Sequence, residues 1–182
     1  MGAKAGVAGW MAAALLLLAA CRTSAPARPP LERETPVRLP PRNATGALTQ
    51  AQRDSLLREL GEHREAWRAR HIDAYRIQIA VGCFCPWPSN PAILEVRSGV
   101  AVALRDTSGK SMGKPHEPWS LYTVEGLFDA VEQSARRSDV LEVGYDPLYG
   151  YPATMRGVGK VGLPDNWFWV KASRLTPARG SM

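Results

Sequence analysis

Beyond residue 44, runs of hydrophobic positions with two different periods divide the chain into eight predicted elements. Over residues 49–70, Leu56, Leu60 and Trp67 recur at helical spacing, and a capping-box pattern of Thr49 with Gln52 marks the start. A second helix is predicted over residues 124–137, again at helical spacing, with Thr123 as its N-cap. The remaining elements alternate with period two, which is typical of half-buried strands.

The six predicted strands come in two groups of three. The first group is "YRIQIAVGCFC", "ILEVR" and "VAVALR", and Ser98 with Gly99 makes a two-residue hairpin loop between the last two. The second group, after the second helix, is "VLEVGYD", "YPATMRG" and "NWFWVKASRL". Short turns join antiparallel strands, and two helices cannot cover both faces of a wide sheet. We therefore expect an α+β fold in the order α-βββ-α-βββ, with one antiparallel sheet of five to six strands and both helices on one face.

The first 43 residues have a different character. Residues 7–20 form an apolar run that is short for a membrane span and typical of a secretory signal. It ends in Leu18, Ala19, Ala20 and Cys21, which resemble the lipobox of bacterial lipoproteins. The resemblance implies a signal peptide over residues 1–20, lipidation of Cys21, and attachment to the membrane through that lipid. In a Gram-negative cell, the Arg22 that follows implies the outer membrane.

Residues 21–43 are predicted to be a tether, because six prolines and five arginines leave almost nothing to bury. Residues 44–182 remain as a single domain. The net charge of +6 falls mainly outside this domain, since Lys4 contributes one charge and the tether three, which leaves +2 from residue 44 onward. A net charge this small does not indicate a nucleic-acid-binding surface.

Several short motifs together resemble one known family. They are Trp67, Tyr75, "CFCP" over residues 83–86, "VEGLFDAVE" over residues 124–132 and "YDPLYGYP" over residues 145–152. This combination resembles the DUF6174 family of uncharacterised secreted bacterial proteins and lipoproteins, over residues 67–175. The resemblance implies an envelope location and brings no established activity. Acidic residues expected shortly before the last strand are reduced here to Asp165, followed by Asn166.

Cys83 and Cys85 are the only pair left if Cys21 carries lipid. An oxidising compartment favours a disulfide between them, but residues two apart on a regular strand lie nearly 7 Å apart, so a bond requires the strand to break at this point. Free thiols that end a strand and a reactive or metal-binding pair are the alternatives. No Lys, Arg or His stands next to the pair to activate a thiolate, and the three histidines show no ligand spacing to it. We expect no metal site.

A candidate binding surface comprises the turn residues Asp146, Tyr149 and Tyr151 and the strand residues Trp167 and Trp169. The two tryptophans share one face of their strand, which predicts a hydrophobic patch on the face without helices. For the turn we favour the other interpretation, in which Asp146 bonds turn amides while Tyr145 and Tyr151 pack on the sheet.

No arrangement of Ser, His and acid stands out, so the sequence favours a non-enzymatic binding or interaction module of the bacterial envelope, without a cofactor. Its expected partner is an envelope protein or a cell-wall component. The alternative function is a thiol-dependent redox or metal-binding protein that uses Cys83 and Cys85.

Overall fold

In the part of the chain that the structure describes, two helices and six strands follow one another in the predicted order. The computed structural model describes residues 47–83, 91–115, 119, 122–163 and 166–178, all of which belong to one unit, Arg38–Met182. Residues 1–20, the tether over residues 21–43, Cys21 and Cys85 lie outside the described residues. The elements are α1 (Gln50–Arg68), β1 (Tyr75–Cys83), β2 (Ala92–Arg97), β3 (Val100–Asp106), α2 (Val124–Arg137), β4 (Val140–Tyr145), β5 (Pro152–Val158) and β6 (Trp167–Pro177).

Helix α1 begins at the predicted capping box. The Gln52 backbone N–H donates to Thr49 Oγ1 at 3.3 Å, and the Thr49 N–H donates to Gln52 Oε1 at 2.8 Å. The helix buries Leu60 and Trp67. It ends two residues before the predicted boundary, and His71, just after it, has a φ of 52°. The left-handed backbone at His71 turns the chain from the helix into β1.

Helix α2 is set by its cap and by one apolar face. The Gly126 N–H donates to Thr123 Oγ1 at 3.1 Å. Glu125 lies in the first turn and two arginines lie in the last, which suits the helix dipole. The buried positions recur every three or four residues: Val124, Leu127, Phe128, Val131 and Ala135. On the exposed side of the two helices, Arg64 of α1 bridges to Asp129 at 3.1 Å and to Glu132 at 3.3 Å.

The sheet has the strand order β3-β2-β1-β6-β5-β4, and every neighbouring pair is antiparallel. Each group of three strands forms a meander, and β1 pairs with β6 to join the two groups in the middle. The hairpin between β2 and β3 turns at Ser98 and Gly99, whose φ values of 50° and 73° are those of a type I′ turn. The single six-stranded antiparallel sheet confirms the predicted architecture.

The core lies between the sheet and both helices, on one face of the sheet. Ile77, Ile79, Leu94 and Leu104 from the sheet are at most 1% exposed, and Leu127 and Phe128 of α2 pack into the same cluster. Tyr75 of β1 connects the sheet to helix α2 through hydrogen bonds. Its hydroxyl accepts the backbone N–H of Val124 at 2.7 Å and donates to Glu125 Oε2 at 3.3 Å.

Glu125 completes this junction by accepting the indole N–H of Trp67 at 3.0 Å. The end of α1, the start of β1 and the first turn of α2 therefore share one carboxylate. In the described part of the chain, neither helix is both long and apolar enough to cross a membrane.

Candidate functional site

The face of the sheet opposite the helices carries two half-buried tryptophans on its central strand β6. Trp167 and Trp169 both point to this helix-free face, as does Lys171 two residues further along. On β5, Arg156 pairs with Trp169 in the strand register. We call these four residues, Trp167, Trp169, Lys171 and Arg156, the aromatic–cationic stripe. Side chains two apart on a strand are separated by about 6.8 Å, so the stripe is about 13 Å long from Trp167 to Lys171.

Trp169 packs against a glycine of the neighbouring strand and so also has a structural role. Its indole lies over Gly82 of β1, the residue opposite it in the register. A Cβ at residue 82 would overlap the indole Nε1 and Cε2 atoms, so only glycine leaves room for the ring there. The ring in turn covers the backbone of Gly82, which is buried. Trp167 has no such glycine neighbour described, and it is the better probe of a binding role.

The helix-free face is cationic. Strand alternation places five cationic side chains on it against two carboxylates, which gives three net positive charges: Arg76, Arg97, Arg105, Arg156 and Lys171, with Glu95 and Glu142. Glu95 bonds Arg76 and Arg105, each at 3.1 Å, and Glu142 bonds Arg156. By comparison, the whole domain from residue 44 onward carries only +2. The positive charge is therefore concentrated on this face.

In the Tyr-rich turn over residues 145–152, the carboxylate of Asp146 is used internally. Asp146 Oδ1 accepts the backbone N–H of Leu148 at 3.0 Å and that of Tyr149 at 2.7 Å. Gly150, at a φ of 78°, donates its N–H to the Asp146 carbonyl oxygen at 2.8 Å. These bonds make Asp146 the organising residue of the turn.

The tyrosines of this turn lie at different depths. Tyr151 is only 1% exposed and packs edge-on to Trp67 at 6.4 Å. Burial raises the pKa of Tyr151, and the neighbouring Asp146 charge and its hydrogen bond to the hydroxyl raise it further. Tyr149 is half-buried below Arg70, whose Cζ is 5.7 Å from the ring centre. The structure thus places Tyr151 in the core, whereas Tyr149 reaches the surface.

Tyr145, just before the turn, stacks on His63 of α1 with ring centres 3.6 Å apart and an interplanar angle of 10°. Its hydroxyl oxygen is buried, and no hydrogen-bond partner reaches it among the described residues. Burial, with a smaller effect of the Glu59 charge, raises the pKa of Tyr145 to about 12. The stack docks α1 onto the end of β4.

Sequence reasoning missed one concave feature. A cleft of about 450 Å³ lies between the end of α1, the β2–β3 turn and the start of α2, and its lining includes Trp67, His71, Asp73, Ser98 and Glu125. Two of its residues, His71 and Ser98, have positive φ. Only the junction of three separate segments creates this cleft, and no local sequence signal marks it. Both oxygens of Glu125 already accept hydrogen bonds, from Trp67 and Tyr75.

Cys83 is the last residue of β1 and is disulfide-bonded. It is half-buried and packs against the core. Because Cys85 lies outside the described residues, the pairing of these two cysteines stays a prediction. Within the described ranges, no group of three or more His, Cys, Asp or Glu side chains is arranged to hold a metal ion.

The architecture defines a class of small α+β domains, in which both described helices pack on one face of an antiparallel sheet and leave the other face without a helix. The chain belongs to the DUF6174 family, a family of unknown function, whose model matches residues 59–156. The match runs from within α1 to within β5, so Trp167 and Trp169 lie beyond it. Comparisons with curated proteins and with solved structures find no significant match.

Proposed function

We propose that this protein is a non-enzymatic, lipid-anchored binding module of the bacterial envelope that captures its partner on the helix-free face. The observation that carries the proposal is the aromatic–cationic stripe. Trp, Tyr and Arg are the residues most enriched at the energetic centres of binding surfaces. Here two tryptophans lie on the central strand β6 and Arg156 lies on the neighbouring strand β5, on a face that neither helix covers.

We choose this face over the Tyr-rich turn because most side chains of the turn are already used in hydrogen bonds or in the core. Asp146 is occupied by two backbone amides, and the Tyr151 side chain is inside the core. At the turn, the exposed Pro147 and Leu148 and the half-buried Tyr149 remain for a partner. The stripe, by contrast, presents two indoles and Lys171 along β6, with Arg156 beside Trp169 on β5.

The envelope location is supported by the amino-terminal sequence. Cys21 closes a lipobox-like stretch, and the proline- and arginine-rich residues 22–43 serve as a spacer between lipid and domain. Acylation at Cys21 holds the domain at the bacterial membrane, and at the outer membrane in a Gram-negative cell. A surface-bound partner, either an envelope protein or a cell-wall component, is then within reach.

The thiol-dependent alternative has less support. Cys83 is already disulfide-bonded, and its side chain packs against the core at the end of β1. A redox or metal site requires an accessible thiolate with activating or coordinating neighbours. We assign this cysteine a structural role.

Site-specific crosslinking in the native host tests the proposal. A photo-crosslinking residue in place of Trp167 is expected to trap an envelope partner, and one in place of Leu148 is the matched control at the Tyr-rich turn. Trapping from Leu148 alone would assign the function to the turn. Absence of any adduct from either position, with the chain correctly localised, would refute the binding module. The intact mass of the purified chain tests the anchor, since the proposal requires Cys21 to be the first residue and to carry acyl groups.

A further inference from the structure

The stripe is located where only side chains can contact a ligand. Strand β6 lies between β1 and β5, and from Phe168 to Lys171 its backbone is registered with both neighbours. An extended peptide usually binds a sheet by adding a strand to a free edge, where it finds unpaired backbone groups. Among the described residues, the doubly paired backbone from Phe168 to Lys171 offers none of these groups. A partner on the stripe must therefore be recognised by stacking, charge and side-chain hydrogen bonds.

The groups around the stripe differ in chemistry along its length. The indoles of Trp167 and Trp169 supply flat apolar surfaces at one end, and Lys171 supplies a cation at the other. Next to Lys171 in the register is Thr154, and beyond it Ser173 pairs with Gln78. These neutral polar side chains border the line of indoles and cation. Such a row suits a linear chain that repeats apolar faces, hydroxyl groups and negative charge.

The net charge of the helix-free face indicates the charge of its ligand. The three net positive charges of the helix-free face favour an anion. Arg156 is already paired with Glu142, with side chains 30% and 51% exposed, so a ligand carboxylate has to compete with Glu142 for this guanidinium.

We infer that the aromatic–cationic stripe binds an acidic glycan strand, that is, a polysaccharide of the cell wall whose sugar units carry carboxylates. The C–H face of a sugar ring is flat and apolar and stacks on an indole, whereas its carboxylates pair with Lys171 and Arg156. The hydroxyl groups of the sugar bond the neutral polar side chains beside the stripe. This inference rests on the proposed function and names the chemistry of its partner.

The test measures binding of the full chain, purified in detergent, by calorimetry to soluble peptidoglycan strands freed of their stem peptides, so that the sugar units carry free carboxylates. Neutral dextran and poly-glutamate are the comparison probes. We expect binding to peptidoglycan strands only, weakening several-fold between about 50 and about 200 mM salt because the charges are exposed. Trp167→Ala is expected to weaken binding about tenfold and Lys171→Gln a few-fold. Trp167→Phe, which retains a ring, should recover most of the loss.

The controls are Leu148→Ala, an exposed apolar residue at the Tyr-rich turn, and Arg137→Gln, an exposed cation at the end of α2. Both should bind within about twofold of the natural chain. Equal binding of dextran would refute the role of charge, and equal binding of poly-glutamate would refute the glycan in favour of an acidic polypeptide. Failure of the unmodified chain to bind peptidoglycan strands would overturn the inference without any variant. If Trp167 nevertheless crosslinks to a protein, the binding module stands and only the glycan is refuted.

Discussion

Replacing Tyr75 by phenylalanine removes one hydroxyl from the junction of both helices with the sheet. That hydroxyl accepts the Val124 backbone N–H at 2.7 Å and donates to Glu125 Oε2 at 3.3 Å. Val124 is 0% exposed and Tyr75 is 1% exposed, so water cannot replace the lost acceptor. Trp67 continues to hold the other Glu125 oxygen at 3.0 Å. The substitution leaves the ring, and therefore the packing, in place.

The expected loss of stability follows from the Val124 backbone N–H, which is left without an acceptor. A buried donor without a partner costs about 1–3 kcal/mol, and the long bond to Glu125 adds little. We expect Tyr75→Phe to lower the free energy of unfolding by about 2 kcal/mol. For a domain of this size, that corresponds to a decrease in Tm of about 8 °C.

Tyr145→Phe is the matched control. It removes a hydroxyl whose oxygen is also buried but has no hydrogen-bond partner among the described residues. Because an unsatisfied buried hydroxyl costs free energy, this variant should be neutral or more stable by up to about 1 kcal/mol. Urea unfolding of the full chain, followed by tryptophan fluorescence, measures both variants. A loss below about 0.5 kcal/mol for Tyr75→Phe, or an equal loss for Tyr145→Phe, would show that these hydroxyls do not differ as described.

The remaining predictions concern packing, ionisation and the cysteines. Gly82→Ala should lower the free energy of unfolding by about 1–3 kcal/mol, because its Cβ overlaps the Trp169 indole. In a Trp169→Ala background, the additional effect of Gly82→Ala should largely vanish. Additive losses in a double-mutant cycle would contradict this coupling. In an absorbance titration, four of the five tyrosines should ionise above their ordinary pKa of about 10, because burial raises the pKa of each. Above about pH 10 the folded state retains tyrosine protons that the unfolded state releases. The stabilising effect of the protonated tyrosines should therefore be complete below about pH 10 and decline above it. Ionisation of all five tyrosines at their ordinary pKa would be inconsistent with the fold. Mass spectrometry after alkylation, with and without reductant, should show a bond of Cys83 that resists mild reduction, whereas rapid exchange would favour thiol chemistry.

The elements of this fold could be predicted because their signals are local. The Thr49–Gln52 capping box, the Thr123 cap and the Ser98–Gly99 turn depend on residues within one turn of each other. Period-two alternation fixed which β6 residues share a face, so Trp167 and Trp169 were expected together. The α+β architecture then followed from the order of elements and from the inability of two helices to cover two faces of the sheet.

The strand order and the depth of individual residues depended on the tertiary structure. Pairing of β1 with β6 joins residues almost a hundred positions apart, and no local pattern encodes it. The sequence left two interpretations of Tyr151, a binding surface or packing on the sheet, and only the tertiary structure places it in the core, where Trp67 of α1 packs on it.

Hydrophobic periodicity therefore determined the secondary structure and the two faces of the sheet, and short capping motifs determined where the helices begin. Only the three-dimensional fold decided that Gly82 meets Trp169, that Tyr75 and Trp67 share Glu125, and that positive charge gathers on the helix-free face. The physical reason is that alternation and capping act between neighbours in sequence, whereas burial and electrostatic contacts arise between segments that meet only after folding.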